Sequence, residues 1–395
     1  MTFAERLDRV LSSQTQEVAL ATERLRRNGI DVVDLGAGEP DFDTPAHVRA
    51  AGVDAIDSGF TKYTPNAGIV ELKEAVCRRY AGDYNVTYQP DEAIVCAGGK
   101  QALFNVAMAL FNRGDEIVTH APVWPTIVEQ IKLAEAIPVL VRTYPDEGFA
   151  VKAERVLDAV TPRTRAIVLN SPGNPTGALI SEEELAIIVR ETDTAGIWLV
   201  LDLCYEQLIY ENVSHNLPAV VFAEARDRAV LVGSASKSYA MTGWRCGWAL
   251  GPSQFVQAAN TVQSHSTSNV SSITQRAALA ALTGSDACVD RMRTEYRIRR
   301  DQLIAWLAEE PRIRVVPPAG AFYLFPDITE ILSPSTIRTS NEFAARLLEE
   351  GHVALTPGEA FDAPGFLRVS YATSMGRLEE GAQRLTRFAA RFATQ

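Results

Sequence analysis

One stretch of the chain, residues 234–247, reads Ser234-Ala235-Ser236-Lys237-Ser238-Tyr239-Ala240-Met241-Thr242-Gly243-Trp244-Arg245-Cys246-Gly247. The apolar run Ala229 to Val232 before it predicts a buried strand, so Lys237 lies on the loop at that strand's carboxyl end. Ligands bind at this edge of open α/β sheets. An amine there can form a Schiff base with an aldehyde cofactor, and the serines with Arg245 can bind a phosphate dianion. A lysine in a Ser-rich loop is also commonly a solvated surface residue.

Composition sets the broad class of the protein. The chain has 395 residues, 47% of them hydrophobic and 22% charged, which is enough for a large core and two domains. A net charge of -11 argues against nucleic acid or an anionic membrane as partner. No apolar signal core or run of about 18 uncharged apolar residues is present, so we expect a cytoplasmic protein. The five cysteines lack C-x-x-C spacing, which indicates neither a disulfide framework nor a metal site.

Short β-branched runs alternate with amphipathic stretches along most of the chain. This rhythm predicts an α/β fold with a mostly parallel sheet sandwiched by helices. The predicted buried strands are Ala93 to Cys96, Glu116 to Thr119, Ala166 to Leu169, Ile197 to Leu201, Ala229 to Val232 and Gly247 to Leu250.

The character of the sequence changes near residue 285, where a smaller α+β unit is predicted. We expect an N-terminal segment 1–45 that packs on this small domain, a large cofactor-binding domain 46–284 and a small C-terminal domain 285–395. The elements expected in the small domain are a charged helix through Arg291 to Asp301, strands at Arg312 to Val316 and Ala321 to Phe325, a helix from Ser340 to Glu350 with Ser340 as N-cap, and a helix after Ser374.

Polar residues follow several of the predicted strands. Gly98-Gly99-Lys100 precedes a helix, whose free N–H groups can bind phosphate, and Trp124 can stack on a flat ring. Asn174 lies in a turn-dense segment and can donate to a phenolic oxygen. Each of these features alone is also compatible with ordinary packing or turn formation.

Two charged residues occur within apolar strands. Asp202 ends the run Ile197 to Leu201, and a buried carboxylate is costly unless paired. A protonated pyridine nitrogen would pair with it. Arg368 lies in the apolar segment Leu367 to Tyr371. It either binds a substrate carboxylate or forms an internal salt bridge.

These motifs together give a resemblance that covers nearly the whole chain. The chain resembles the class I aminotransferases of the fold-type I pyridoxal phosphate enzymes, and is most similar to the bacterial and archaeal branch of aspartate aminotransferases. The residues that carry the resemblance, in chain order, are Gly36 to Phe42, Lys62-Tyr63, Gly98-Gly99-Lys100, Trp124, Asn174 to Gly177, Asp202 with Tyr205, Ser234 to Lys237, Arg245, Gly320 to Tyr323 and Arg368.

The resemblance implies a role for each matching residue. Lys237 would bind pyridoxal 5′-phosphate covalently and then move a proton between the substrate and the cofactor. The remaining cofactor contacts would come from Gly99, Lys100, Trp124, Asn174, Asp202, Tyr205, Ser234, Ser236, Arg245 and, from the partner subunit of a homodimer with shared active sites, Tyr63. The substrate α-carboxylate would be bound by Gly38 and Arg368, with contacts to the substrate from Trp124 and Asn174.

The substrates implied are an amino acid and a 2-oxo acid, with aspartate and glutamate leading. In this branch the distal carboxylate is bound without a dedicated arginine, and the matching positions are Lys100, Ser13 with Thr15, and a partner's Ser264. The chain departs from the family pattern at Leu203-Cys204, at Val123 and Pro125 around the tryptophan, and at Leu11-Ser12. These departures concern the shape of the substrate pocket.

Three alternatives remain open at the level of sequence. One is an aminotransferase for a neutral, aromatic or basic amino acid in a specialised pathway. A second is a pyridoxal phosphate lyase that cleaves a C–S bond at the β-carbon with the same lysine. A third, a cofactor-sensing regulator of transcription, is disfavoured because no helix-turn-helix precedes residue 30 and the chain is acidic.

Overall fold

The computed structural model describes residues 3–210 and 213–392. The strands in these residues, numbered along the chain, are β1 Val33–Asp34, β2 Ala93–Cys96, β3 Glu116–Ala121, β4 Ile137–Arg142, β5 Thr164–Asn170, β6 Trp198–Asp202, β7 Ala229–Ser234, β8 Gly247–Leu250, β9 Tyr323–Leu324, β10 Val353–Ala354, β11 Thr356–Pro357 and β12 Leu367–Ser370.

The α-helices are numbered in the same way. They are α1 Gln14–Arg27, α2 Ala46–Asp57, α3 Val70–Tyr84, α4 Gly99–Leu110, α5 Pro125–Leu133, α6 Ala153–Asp158, α7 Glu182–Ala195, α8 Leu217–Glu224, α9 Ala235–Ser238, α10 Ser253–Ser264, α11 Ser272–Thr283, α12 Ala287–Leu307, α13 Ser340–Arg346 and α14 Met375–Ala390. None of the helices in the described part of the chain combines the length and apolar character that crossing a bilayer requires.

The large sheet has seven strands in the order β2-β8-β7-β6-β5-β3-β4. Strands β4, β3, β5, β6 and β7 run parallel, and β8 lies antiparallel between β7 and β2. The predicted mostly parallel sheet is therefore confirmed. The carboxyl ends of β2, β3, β5, β6 and β7 all meet at one edge, which brings the loops after these strands together.

Alternate residues of the central strands enter two different apolar cores. In β5, Ile167 and Leu169 pack with α3, α7 and α11, whereas Ala166 and Val168 pack with α4, α5 and α10. Both faces of the sheet are buried, which is why these strands are continuously apolar rather than alternating. Strand β4 was not predicted because it is an edge strand, half-exposed and carrying Pro138.

The C-terminal part of the chain forms a three-stranded antiparallel sheet, in the order β11-β12-β9, which shares one apolar core with α12 and α14. The N-terminal segment joins it through β1, which pairs in parallel with β10. The apolar residues Val33 and Leu35 thereby enter the core of this smaller unit. The domain boundaries expected from the sequence stay a prediction.

Several predicted elements of this part differ from the structure. The strand expected at Ala321 to Phe325 is limited to β9, and Arg312 to Val316 forms only an isolated bridge from Arg314 to Asp327. The helix predicted from Ser340 to Glu350 is α-helical only over α13, and a short π-helix, Leu347–Gly351, follows it.

The predicted N-cap at Ser340 is wrong. Thr339 has the extended conformation of an N-cap, and its hydroxyl accepts a hydrogen bond from the N–H of Glu342. Ser340 lies one position inside the helix and is buried. Its hydroxyl donates to Glu359 Oε2 at 2.6 Å and accepts from the N–H of Gly365, so tertiary contacts decide its position.

Candidate active site

A cavity of about 650 Å³ opens at the edge of the large sheet where the five strands end. It is lined by residues that follow β2, β3, β5, β6 and β7, together with residues from the N-terminal segment and from β9 and β12. The residues from the sequence analysis that line it are Ser13, Thr15, Gly38, Gly99, Lys100, Trp124, Asn174, Asp202, Tyr205, Ser234, Ser236, Lys237, Arg245 and Arg368.

Lys237 lies in the short helix α9, directly after β7. The hydroxyl of Ser234 accepts a hydrogen bond from the N–H of Ser236 and so fixes the start of this turn. The Nζ of Lys237 donates to the carbonyl oxygen of Gly38 at 2.5 Å. Removal of the amine from water lowers the pKa of Lys237 to about 8, and Arg368 and Arg245 act in the same direction. A substantial fraction of this amine is therefore neutral and nucleophilic at mildly alkaline pH.

Hydrogen-bond donors collect at one end of the cavity, around the start of α4. The first N–H groups of this helix, at Gly99 and Lys100, have no carbonyl one turn before them. Arg245 packs against the preceding turn, where a Cβ built on Gly98 would lie 2.7 Å from its Nη2 atom. The hydroxyl oxygens of Ser234 and Ser236 lie 2.9 Å apart. Two hydroxyls, a guanidinium and a helix N-terminus are a suitable set for a phosphate.

Asp202 ends the middle strand of the sheet and is only 2% exposed. Its Oδ1 accepts from the N–H of Cys204 at 3.1 Å, and burial raises its pKa. Within residues 3–210 and 213–392, no cationic side chain lies within ion-pair distance of this carboxylate. A buried anion without a cation favours a positively charged ligand at this point.

Asn174 is held in place by Asn170, a residue to which the sequence analysis assigned no role. The Oδ1 of Asn170 accepts from the N–H of Asn174 at 2.8 Å, and its Nδ2 donates to the carbonyl of Asp202 at 3.0 Å. Below it, His120 Nε2 accepts from the N–H of Asn170, and burial lowers the pKa of His120 to about 4. The neutral imidazole acts as a fixed acceptor beneath the turn. The sequence feature that could have indicated this role is the position of Asn170 at the end of a buried strand.

Arg368 in β12 is 3% exposed and has no carboxylate partner among the described residues. Its Nη1 donates to Asn174 Oδ1 at 3.2 Å and its Nη2 to the carbonyl of Gly36 at 2.9 Å, while its Nε has no partner in the part of the chain that the structure describes. The described residues therefore do not form the internal salt bridge that was the alternative from the sequence. A buried guanidinium with a free donor is a receptor for a carboxylate.

Lys100 and Trp124 lie side by side, with Nζ 5.0 Å from the centroid of the indole. Burial, and then the charge of Arg245, lowers the pKa of Lys100. The hydroxyls of Ser13 and Thr15, 2.8 Å apart, line the same cavity from the N-terminal segment.

Two predicted site residues lie outside this cavity. Tyr63 is 91% exposed, and Ser264 is on the surface at the end of α10, where its hydroxyl donates to the carbonyl of Thr261. Conversely, the cavity contains side chains to which no role was assigned from the sequence: Asp34, Glu39, Cys204, Thr242 and Tyr323.

The depressed pKa of Lys237 can be tested without any ligand. An amine reacts with an electrophile in its neutral form, and the neutral fraction rises through the pKa. Acetic anhydride labelling in pulses at increasing pH, with peptide mass spectrometry, should give half-maximal labelling of Lys237 near pH 8. Solvated lysines should follow at about pH 10.4. Labelling of Lys237 in step with the surface lysines would contradict the desolvated environment.

Known proteins match this sequence over nearly the whole chain. The family model described as aminotransferase class I and II matches residues 30–385. An aspartate aminotransferase from Geobacillus stearothermophilus is 41% identical over 98% of this chain and 99% of its own length. An aspartate/prephenate aminotransferase from Thermus thermophilus is 42% identical over 98% of both chains.

Solved structures agree with the sequence relatives. The structure of the Thermus thermophilus aspartate aminotransferase with maleate superposes with a TM-score of 0.93 at 41% identity, covering 98% of this chain and all of that one. The structure of an aspartate aminotransferase from Rhizobium meliloti gives a TM-score of 0.94 at 37% identity over 99% of both chains. The chain with its lysine, carboxylate and arginine around one cavity thus belongs to the class I and II aminotransferases and is an aspartate aminotransferase-like member of that family.

Proposed function

We propose that this protein catalyses pyridoxal 5′-phosphate-dependent transamination, with aspartate and glutamate as amino donors and oxaloacetate and 2-oxoglutarate as acceptors. The observation that carries the proposal is the set of three charged groups that line one cavity, two of which, Asp202 and Arg368, are buried. The amine of Lys237 faces the same space as the carboxylate of Asp202 and the guanidinium of Arg368, neither of which has an ion-pair partner among the described residues.

The residues present fit pyridoxal phosphate at each of its polar groups. Ser234, Ser236 and Arg245, with the start of α4, suit the phosphate. Asp202 suits the protonated ring nitrogen, and Asn174 and Tyr205 suit the phenolic oxygen. Trp124 suits the face of the ring. The orphaned carboxylate of Asp202 supports this cofactor most directly, because the ring nitrogen supplies the missing positive charge.

When bound, the cofactor supplies an electron sink that makes the α-proton of an amino acid removable near neutral pH. The protein has to bind the substrate and move that proton. Arg368, with its free Nε, holds the α-carboxylate and so fixes the direction of the α-carbon–hydrogen bond. The amine of Lys237, with a pKa of about 8, has the basicity to accept the proton at the α-carbon. It would then pass that proton to the cofactor.

The preference for a dicarboxylic substrate is supported by two observations. The relatives described above carry the names aspartate and aspartate/prephenate aminotransferase. Lys100, Ser13 and Thr15 line the cavity and offer a cation and two hydroxyls for a distal carboxylate. Of the departures from the family pattern, Cys204 also lines the cavity, whereas Val123 is buried in the core and Pro125 begins α5. The aminotransferase names favour transamination over β-elimination.

A homodimer with shared active sites is part of the proposal. Tyr63 and Ser264, assigned by family resemblance to the cofactor phosphate and the substrate, lie on the outer surface of their own chain. A large exposed aromatic side chain such as Tyr63 is suited to an interface. In a dimer these two residues would complete the cavity of the partner.

The reaction is tested by half-reactions of the cofactor-loaded protein. Aspartate or glutamate, mixed in single turnover, should convert the yellow pyridoxal form to the pyridoxamine form, and oxaloacetate or 2-oxoglutarate should reverse it. The control is Lys237→Ala, which should remain folded and give no conversion. Conversion by neutral or basic amino acids alone would refute the substrate class. Release of keto acid without any pyridoxamine form would refute transamination.

The role of Lys100 is tested by Lys100→Ala, with Lys132→Ala as the matched control. Lys132 is on α5 and is paired with Glu129 at 2.8 Å outside the cavity. Loss of a charged hydrogen bond to the distal carboxylate should cost about 1–3 kcal/mol, which is roughly a fivefold to 150-fold rise in KM for aspartate. The KM for alanine should change little, and Lys132→Ala should resemble the wild type. An equal rise for aspartate and alanine would assign Lys100 to the cofactor or to structure.

A further inference from the structure

Tyr323, the first residue of β9, lies beside three other residues of the cavity, and only 1% of it is exposed to solvent. Its hydroxyl oxygen lies 2.8 Å from that of Tyr205, and its ring centroid lies 4.4 Å from the guanidinium carbon of Arg368. A Cβ built on Gly38 would lie 3.5 Å from the same hydroxyl. One side chain thus contacts Tyr205, proposed for the cofactor, and Arg368, proposed for the substrate carboxylate, and lies beside Gly38.

The hydroxyls of Tyr205 and Tyr323 carry two protons, and the hydrogen bond between them involves only one of these. Burial raises the pKa of Tyr205 and of Tyr323, so both hydroxyls are protonated at neutral pH. Among residues 3–210 and 213–392, neither hydroxyl has another hydrogen-bond partner. The pair therefore has one proton left to donate to a ligand. If Tyr205 donates it, Tyr323 must donate to Tyr205, and a hydroxyl that accepts a hydrogen bond is a stronger donor.

The ring of Tyr323 has a separate contact with Arg368. The guanidinium lies between the rings of Tyr323, at 4.4 Å, and Phe361, at 5.1 Å. Attraction between a cation and an aromatic face is strongest where water is excluded. No carboxylate of residues 3–210 and 213–392 pairs with Arg368, and these rings and the acceptors on Gly36 and Asn174 hold the guanidinium in place.

We propose that Tyr323 is a positioning residue for the transamination proposed above. Its hydroxyl fixes the direction in which Tyr205 donates to the phenolic oxygen of the cofactor, and its ring holds Arg368 ready for the substrate carboxylate. The inference rests on the proposed function. It adds a residue that acts on the cofactor and on the substrate through two different atoms of one side chain.

The hydroxyl is tested by Tyr323→Phe, read from the absorption of the bound cofactor as a function of pH. A hydrogen bond to the phenolic oxygen stabilises its anionic form, so weakening that bond should raise the apparent pKa of the chromophore by on the order of 0.5 unit. Tyr371→Phe is the matched control, because Tyr371 is equally buried but bonds to Tyr210 and Ala321 outside the cavity. A chromophore pKa equal to that of the wild type would overturn this part of the inference.

The ring is tested by comparing Tyr323→Leu with Tyr323→Phe in the binding of succinate, an unreactive dicarboxylate, to the loaded protein. Loss of the aromatic face should weaken succinate by on the order of tenfold, whereas loss of the hydroxyl alone should leave its Kd within about twofold. Unchanged affinity in a folded Tyr323→Leu would overturn the inference. Equal weakening in both variants would also overturn it, because the hydroxyl would then contact the substrate itself.

Failure of the proposed function is separately visible. If Lys237→Ala binds pyridoxal phosphate and develops the same absorption as the wild type, the proposed function and the role of Tyr323 both fail. If only the wild type does so, the covalent role of Lys237 stands, the half-reactions decide the proposed function, and Tyr323→Phe decides the inference about the hydroxyl. This variant keeps the ring and its packing, so it carries the test even where Tyr323→Leu does not fold.

Discussion

The carboxylate of Asp202 is buried at the end of the middle strand of the sheet, and no positive side chain in the described residues is within ion-pair distance of it. The arrangement of the rest of the cavity follows from this constraint. A buried carboxylate without an ion-pair partner is tolerated only when other interactions offset its loss of hydration, and here a hydrogen bond from the N–H of Cys204 and the charge of Lys237 offset part of that cost. The remainder favours binding of a cation at this point, which the proposed ring nitrogen supplies.

The same relation holds for the other two charged groups. Burial lowers the pKa of Lys237 to about 8, and Arg368 is surrounded by neutral acceptors and aromatic rings. Each group costs folding free energy that a ligand can recover. A ligand that binds only the folded state stabilises it by mass action, so we expect cofactor and substrate to contribute to the stability of this protein. The apolar sheet beneath provides the stability on which such a cavity depends.

Much of this arrangement could be predicted from the sequence, because the determining signals are local. Continuous β-branched runs predict buried parallel strands, and a polar residue directly after such a run predicts the site edge. These signals predict that Asp202, Asn174 and Lys237 lie at that edge, and all three line the cavity there. Features that depend on packing between distant segments were not predicted. The local pattern predicts Ser340 as a cap because it does not reveal the two tertiary partners of that residue, Glu359 and Gly365.

The sequence also assigns no role to residues that act through another residue. Asn170 and Tyr323 support Asn174 and Tyr205, and only the folded arrangement brings β5 and β9 to the same cavity. The proposed function depends above all on Lys237 being the residue that binds pyridoxal phosphate covalently. Borohydride reduction of the loaded protein, followed by peptide mass mapping, tests it most directly. A single phosphopyridoxyl group on Lys237 is the predicted result, and a group on any other lysine, or none, would contradict it.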